Sequence, residues 1–196
     1  MHLTPFSPLG MGIFKKIQKS IRSYFFGREL KKVSRKKKVV GFDATRKIGI
    51  LYDCSQEKHY REVVRLVKDL EQQGKTVHAL GFVRENKMPE YTMAQLNLSF
   101  CHSSDFSWRL KLKSPQLQNF IHSKFDLLID LSPEDLFLMK FIMGLSDATY
   151  KAGPYHEEYL EVYDLMISEK PLASIKELIE HMLHYLKIIK PAQNGQ

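Results

Sequence analysis

Short apolar runs of strand length, separated by amphipathic stretches of helical period, constrain this fold most. KIGILYDC (47–54), TVHALGFV (76–83), Leu98–His102, FDLLIDL (125–131), Thr149–Gly153 and YDLMI (163–167) are the strand candidates. His59–Gln73 sets Val63, Val64, Leu66, Val67 and Leu70 on one face and ends at Gly74, a natural helix stop. Residues 47–83 therefore read as a β–α–β unit. Further helices are predicted over Pro115–Ser123, Pro133–Leu145 and Pro171–Ile189. The second opens on Ser132-Pro133-Glu134-Asp135, an N-terminal signature. The third turns Leu172, Ile175, Leu178, Ile179, Met182, Leu183 and Leu186 inward. Strands alternating with helices predict a single Rossmann-like α/β domain, with a mostly parallel sheet and helices on both faces. FDLLID and YDLMIS echo one another, as buried strands do without being repeats.

Ahead of this body stands GIFKKIQKSIRSYFFGRELKKVSRKKK, residues 12–38. It sets Lys15, Lys16, Lys19, Arg22, Arg28, Lys31, Lys32, Arg35, Lys36, Lys37 and Lys38 against one acid, Glu29. The chain is formally +8 and this arm alone carries +10, which leaves the remainder at −2. The charge belongs to the arm, as in a docking element, and not to a groove across the body. Ile13, Phe14, Ile17, Ile21 and Phe25 form an apolar stripe at helical spacing. The pattern predicts a helix over Gly12–Phe26, an interruption at Gly27, a short second helix to Arg35 and a linker to Thr45. Residues 1–11 read as a disordered extension (with Met1 or Met11 as the start), 12–45 as arm and linker, 46–190 as the domain and 191–196 as a disordered tail. Three readings of the arm stand open. It meets an anionic membrane surface, it follows the phosphates of RNA or a ribosome, or its stripe packs on the domain and its cations face solvent or a protein partner.

A hydrophobic fraction of 43% over 196 residues is enough for a sizeable core and excludes a wholly disordered chain. Cys54 and Cys101 stand far apart without metal or redox spacing, so reduced thiols and a cytoplasmic protein are expected. No run is long enough to span a bilayer and no signal peptide is evident, so the inner face of the cytoplasmic membrane is reached only peripherally. The glycine-rich dinucleotide and phosphate-loop motifs and the G-x-S-x-G elbow are missing. No cofactor, no metal and no reading of DNA sequence are expected. His181 and His184, at helical i,i+3 spacing, lack further ligands. His102-Ser103-Ser104-Asp105 reads as loop chemistry, because triads assemble from distant segments. His156-Glu157-Glu158 reads as a solvated loop.

In an open parallel sheet ligands sit beyond the carboxyl ends of the strands. Asp53 ends the first candidate strand and Asp130 the fourth, and on neighbouring strands the two carboxylates approach one another. Such a pair can hold a cation or perturb its own protonation; its structural alternative is helix capping or pairing with a lysine.

The stretch FDLLIDLSPEDLFLMKFIMGLSDATYKAGPY, 125–155, resembles the N-terminal half of heptosyltransferase-like glycosyltransferases of the GT-B fold. There too a strand ending Ile-Asp-Leu precedes an apolar helix and a segment leading to a glycine, here Tyr150-Lys151-Ala152-Gly153-Pro154. The likeness spans 47–167 and implies the fold. It departs at the first strand, where those enzymes carry a Gly-Asp turn and this chain has Leu51-Tyr52-Asp53-Cys54-Ser55. No counterpart of the nucleotide-sugar half is expected within these 196 residues. From about Lys15 the chain also resembles a family of small uncharacterised bacterial proteins. The expectation is a non-catalytic binding or adaptor protein docking through its basic arm on a polyanionic surface. The alternative is a minimal or partner-dependent glycosyltransferase-like enzyme using Asp53 and Asp130.

Overall fold

The computed structural model describes residues 20–84, 88–92, 97–132, 136–168 and 174–190. Residues 20–30 are helical (α1). There follow β1 (Lys47–Asp53), α2 (Glu57–Gln72), β2 (Thr76–Val83), β3 (Leu98–His102), α3 (Pro115–Ile121), β4 (Leu127–Asp130), α4 (Phe137–Leu145), β5 (Tyr150–Pro154), β6 (Leu165–Ile167) and α5 (Ile175–Ile188). All six strands run parallel, in the order β3-β2-β1-β4-β5-β6. The strand order reverses between β1 and β4, which is the switch point of a doubly wound sheet.

Alternation along the strands divides the core into two layers. Ile48, Ile50 and Tyr52 of β1 and Leu127 and Ile129 of β4 face α2 and α5. Leu51 and Leu128 face the other side, where α1, α3 and α4 pack. Each residue of a central strand is buried by one layer or the other, so these strands read as unbroken apolar runs. Helix ends follow local chemistry. The Ser114 hydroxyl accepts from the Leu117 N–H with Pro115 in the first turn, and Ser174 does the same for the Glu177 N–H. Gly74 takes φ +78° past α2, while Gly74 and Lys75 donate to the Glu71 and Leu70 carbonyls, a Schellman stop. The described part of α4 starts at Phe137; Pro133, Glu134 and Asp135 of the expected signature lie outside the described residues, as does Leu172.

The basic segment lies on the body. α1 runs through Gly27, where an interruption was expected, because packing outweighs the roughly 1 kcal/mol a mid-helix glycine costs. Phe26 is buried among Phe137, Phe141 and Tyr159. Gly144 of α4 makes the approach possible: a β-carbon there would stand 2.7 Å from both Leu30 and Phe26. After α1 the chain crosses towards β5. Arg35 reaches Asp164 with two hydrogen bonds of 2.7 and 2.8 Å and also donates to the Thr149 carbonyl. Phe26→Ala is expected to cost about 3 kcal/mol, the scale of a buried phenyl deletion. Urea unfolding checks it, and an unchanged midpoint would show that α1 contributes nothing to the core.

Candidate functional site

The carboxyl ends of β1 and β4 put both candidate acids on adjacent strands. Leu51 pairs with Asp130 and Asp53 lies two residues further along β1, so both carboxylates sit on the α4 side of the sheet. Each is held by its own partners. Asp53 is almost fully buried; it accepts from the Ser55 N–H at 3.0 Å and from the Arg84 guanidinium at 3.0 and 3.2 Å. Asp130 is completely buried and forms an ion pair with Lys140 of α4, itself completely buried. The Tyr163 hydroxyl donates to Asp130 at 2.7 Å and the Ser132 N–H at 2.9 Å. Burial would raise the Asp130 carboxyl, but the charge and hydrogen bond of Lys140, helped by Tyr163 and Ser132, hold it below the ordinary carboxylate range. Among the described residues no three His, Cys, Asp or Glu side chains are grouped to hold a metal ion. Both thiols are buried: burial pushes the Cys54 thiol up to about 11 and raises Cys101 as well, which suppresses thiolate chemistry. The His102–Asp105 segment is a 3₁₀ turn in which Asp105 accepts from the His102 N–H at 2.8 Å.

The basic segment has a different character. Lys15, Lys16, Lys19, Ile13, Phe14 and Ile17 lie outside the described residues. From Ser20 onward the apolar and cationic sides of the segment separate. Phe26 and Leu30 turn to the body, while Arg22, Arg28, Lys31, Lys32 and Lys36–Lys38 are exposed. Of the expected stripe, Ile21 remains 44% exposed and Phe25 packs edge-on against Trp108, with ring centroids 6.0 Å apart. Glu29 pairs with Arg28 and Lys32. Arg35 belongs to the interior: its side chain is 8% exposed and Asp164 neutralises it.

Sequence reasoning passed over the partner of Phe25. Residues 106–112 form a small hairpin, with a bridge between Phe106 and Leu112. Its tip carries Trp108 and Arg109, and the guanidinium lies 4.4 Å from the indole centroid. Arg28 likewise covers Phe25 at 4.9 Å. The signal was present as Ser107-Trp108-Arg109, the chain's sole tryptophan beside a cation. The buried Lys140 and Lys151 were also missed; each is a charged residue inside an otherwise apolar element, Phe137–Leu145 and Tyr150–Pro154.

The fold and its surface define a single α/β domain built on a parallel six-stranded sheet, with a cationic segment packed on one side. The chain belongs to a family of unknown function, DUF6913, whose model matches residues 18–189. That span takes in α1 and the crossing segment as well as the sheet. No curated protein and no solved structure matches it. No helix among the described residues is long and apolar enough to cross a membrane.

Proposed function

We propose that this protein is a non-catalytic binding module that docks on a polyanion through the cations of residues 15–38 other than Arg35. The observation that supports this reading is the orientation of the segment. Its large apolar side chains Phe26 and Leu30 pack on the body, while Arg22, Arg28, Lys31, Lys32 and Lys36–Lys38 face outward. A helix whose apolar side is occupied by protein presents charge, and polyanions bind such a surface with release of their counterions. Kinship of fold with half of a GT-B transferase belongs to the same proposal, on the strand ending Ile129-Asp130-Leu131 and the segment leading to Gly153. The enzymatic reading gains nothing from Asp53 and Asp130, because Arg84 and Lys140 already engage them.

Changing Lys15, Lys16, Lys19 and Arg22 together to Glu is the test. Affinity for a 12-nucleotide RNA or for phosphatidylglycerol vesicles should fall by at least about tenfold, and its dependence on salt should flatten. Full affinity in this variant, with the wild-type salt slope, overturns the reading.

A further inference from the structure

We infer that the turn at Ser107–Leu110 presents Trp108 and Arg109 as a stacking platform for the unpaired bases of single-stranded RNA. The inference rests on the polyanion reading above and names its partner.

The turn is built to hold its tip outward. Leu110 N–H donates to the Ser107 carbonyl at 2.8 Å, Ser107 N–H to the Lys111 carbonyl at 2.9 Å, and Lys111 N–H to the Ser107 hydroxyl at 2.9 Å. Leu110 adopts φ +59°, a left-handed conformation that an L side chain disfavours and that glycine fills in most turns of this shape. Its side chain is nevertheless 6% exposed, so burial anchors the strained residue. Trp108 and Arg109 then occupy the two central positions of the turn. Trp108 is 72% exposed even with Arg109 across it and Phe25 against it.

Two clefts meet at Leu110, which lines both. One, of about 440 Å³, includes Arg22 and Trp108 in its walls. The other, of about 650 Å³, includes Arg28, Lys32 and Lys111. The acids of the second cleft already have cations: Glu29 pairs with Arg28 and Lys32, and Asp147 with Lys124. A strand lying from one cleft to the other meets the indole and Arg22 in the first and Arg28, Lys32 and Lys111 in the second. Aromatic rings joined to guanidinium groups stack bases of any sequence, and only unpaired bases offer their faces. A duplex hides those faces. A lipid surface would engage the outward apolar side chains Ile21 and Tyr24, 44% and 68% exposed, and the vesicle arm of the experiment reads that outcome.

Because Trp108 is the sole tryptophan, its emission reports the platform directly. The full chain is titrated with a 12-nucleotide oligoadenylate RNA, with the same RNA in a duplex, and with phosphatidylglycerol vesicles. Saturable quenching of Trp108 by the single strand is expected, with the duplex bound about tenfold more weakly. Trp108→Ala should lower single-strand affinity about tenfold and leave the salt slope unchanged, while Trp108→Phe restores part of it. Tight, arm-dependent RNA binding that neither quenches Trp108 nor responds to Trp108→Ala overturns the platform and leaves the polyanion reading standing. Equal affinity for duplex and single strand also overturns it. Binding to vesicles alone, with a blue-shifted emission, assigns the surface to lipid and overturns the inference. Binding to no polyanion overturns both readings.

Discussion

Lys140→Met should destabilise the protein by about 3–5 kcal/mol, the cost of leaving a buried carboxylate without its cation. Lys140 and Asp130 are both completely enclosed, so no water screens the pair. Methionine matches the lysine stem, which confines the loss to the charge. The remaining partners of Asp130, the Tyr163 hydroxyl and the Ser132 N–H, cannot replace a full charge. A triple variant, Asp130→Leu, Lys140→Met and Tyr163→Phe, removes every polar group of the cluster together. It should recover most of the lost stability, because an apolar replacement of a buried pair is commonly neutral or better. Urea unfolding of the three proteins tests this. A single variant within about 0.5 kcal/mol of the wild type would show that the pair contributes little. The wild type should also lose stability in acid. With the folded carboxyl held below its ordinary value, the contribution of Asp130 is complete above the unfolded value of about 3.9. It is lost as pH falls through the lower folded value.

Lys151→Met should have the opposite sign and a pronounced dependence on pH. Lys151 is 1% exposed, and its ammonium group donates to the Gly144 carbonyl at the end of α4 at 3.0 Å. Burial, then the charges of Arg35 and Lys37, push this amine down to about 7, against the pull of Asp164 and Asp147. In the unfolded chain it titrates at about 10.4. Between those values the unfolded state holds a proton that the folded state does not, so stability rises with pH across the window from about 7 to about 10.4. Below about 7 both states are protonated and the folded protein bears the full penalty, of order 4 kcal/mol before any relaxation. Methionine removes the penalty and forfeits one hydrogen bond, worth about 1 kcal/mol. The variant should therefore be more stable than the wild type at pH 6, with the advantage shrinking steadily towards pH 10. Comparing the two melting curves cancels every other titrating group. A difference that does not change with pH would show that Lys151 stays charged in the folded state.

The strands and helices were legible because their signals are local. β2 and β3 have the bounds that the apolar runs implied, and α2, α3 and α5 begin and end within a few residues of the expected positions. A buried parallel strand must be apolar on both faces, a surface helix on one, and Gly74 or Ser114 ends or begins a helix by its own backbone and hydroxyl chemistry. The candidate site was legible only in its parts. Asp53 and Asp130 could be placed at strand ends, yet nothing nearby in sequence marks Arg84 or Lys140 as their partners. Those residues lie 31 and 10 positions away, and only the sheet and its crossover helix bring them back.

What the sequence by itself determined, then, is the α/β class, the run of elements and the concentration of charge before residue 39. Periodicity and net charge are properties of a linear chain and survive any arrangement of it. What only the tertiary structure decided is where the described part of that charge, from Arg22 to Lys38, points. The apolar stripe of residues 13–25 was compatible with lipid, RNA or the protein's own body. Gly144 leaves room for Phe26 and Leu30 on α4, and Asp164 waits for Arg35 across the sheet. Those contacts join residues more than a hundred positions apart. Their energy comes from shape and pairing in space, which spacing along the chain does not encode. The tip of the 106–112 hairpin is set in the same way, by a buried Leu110 and an aromatic ring contributed by a distant helix.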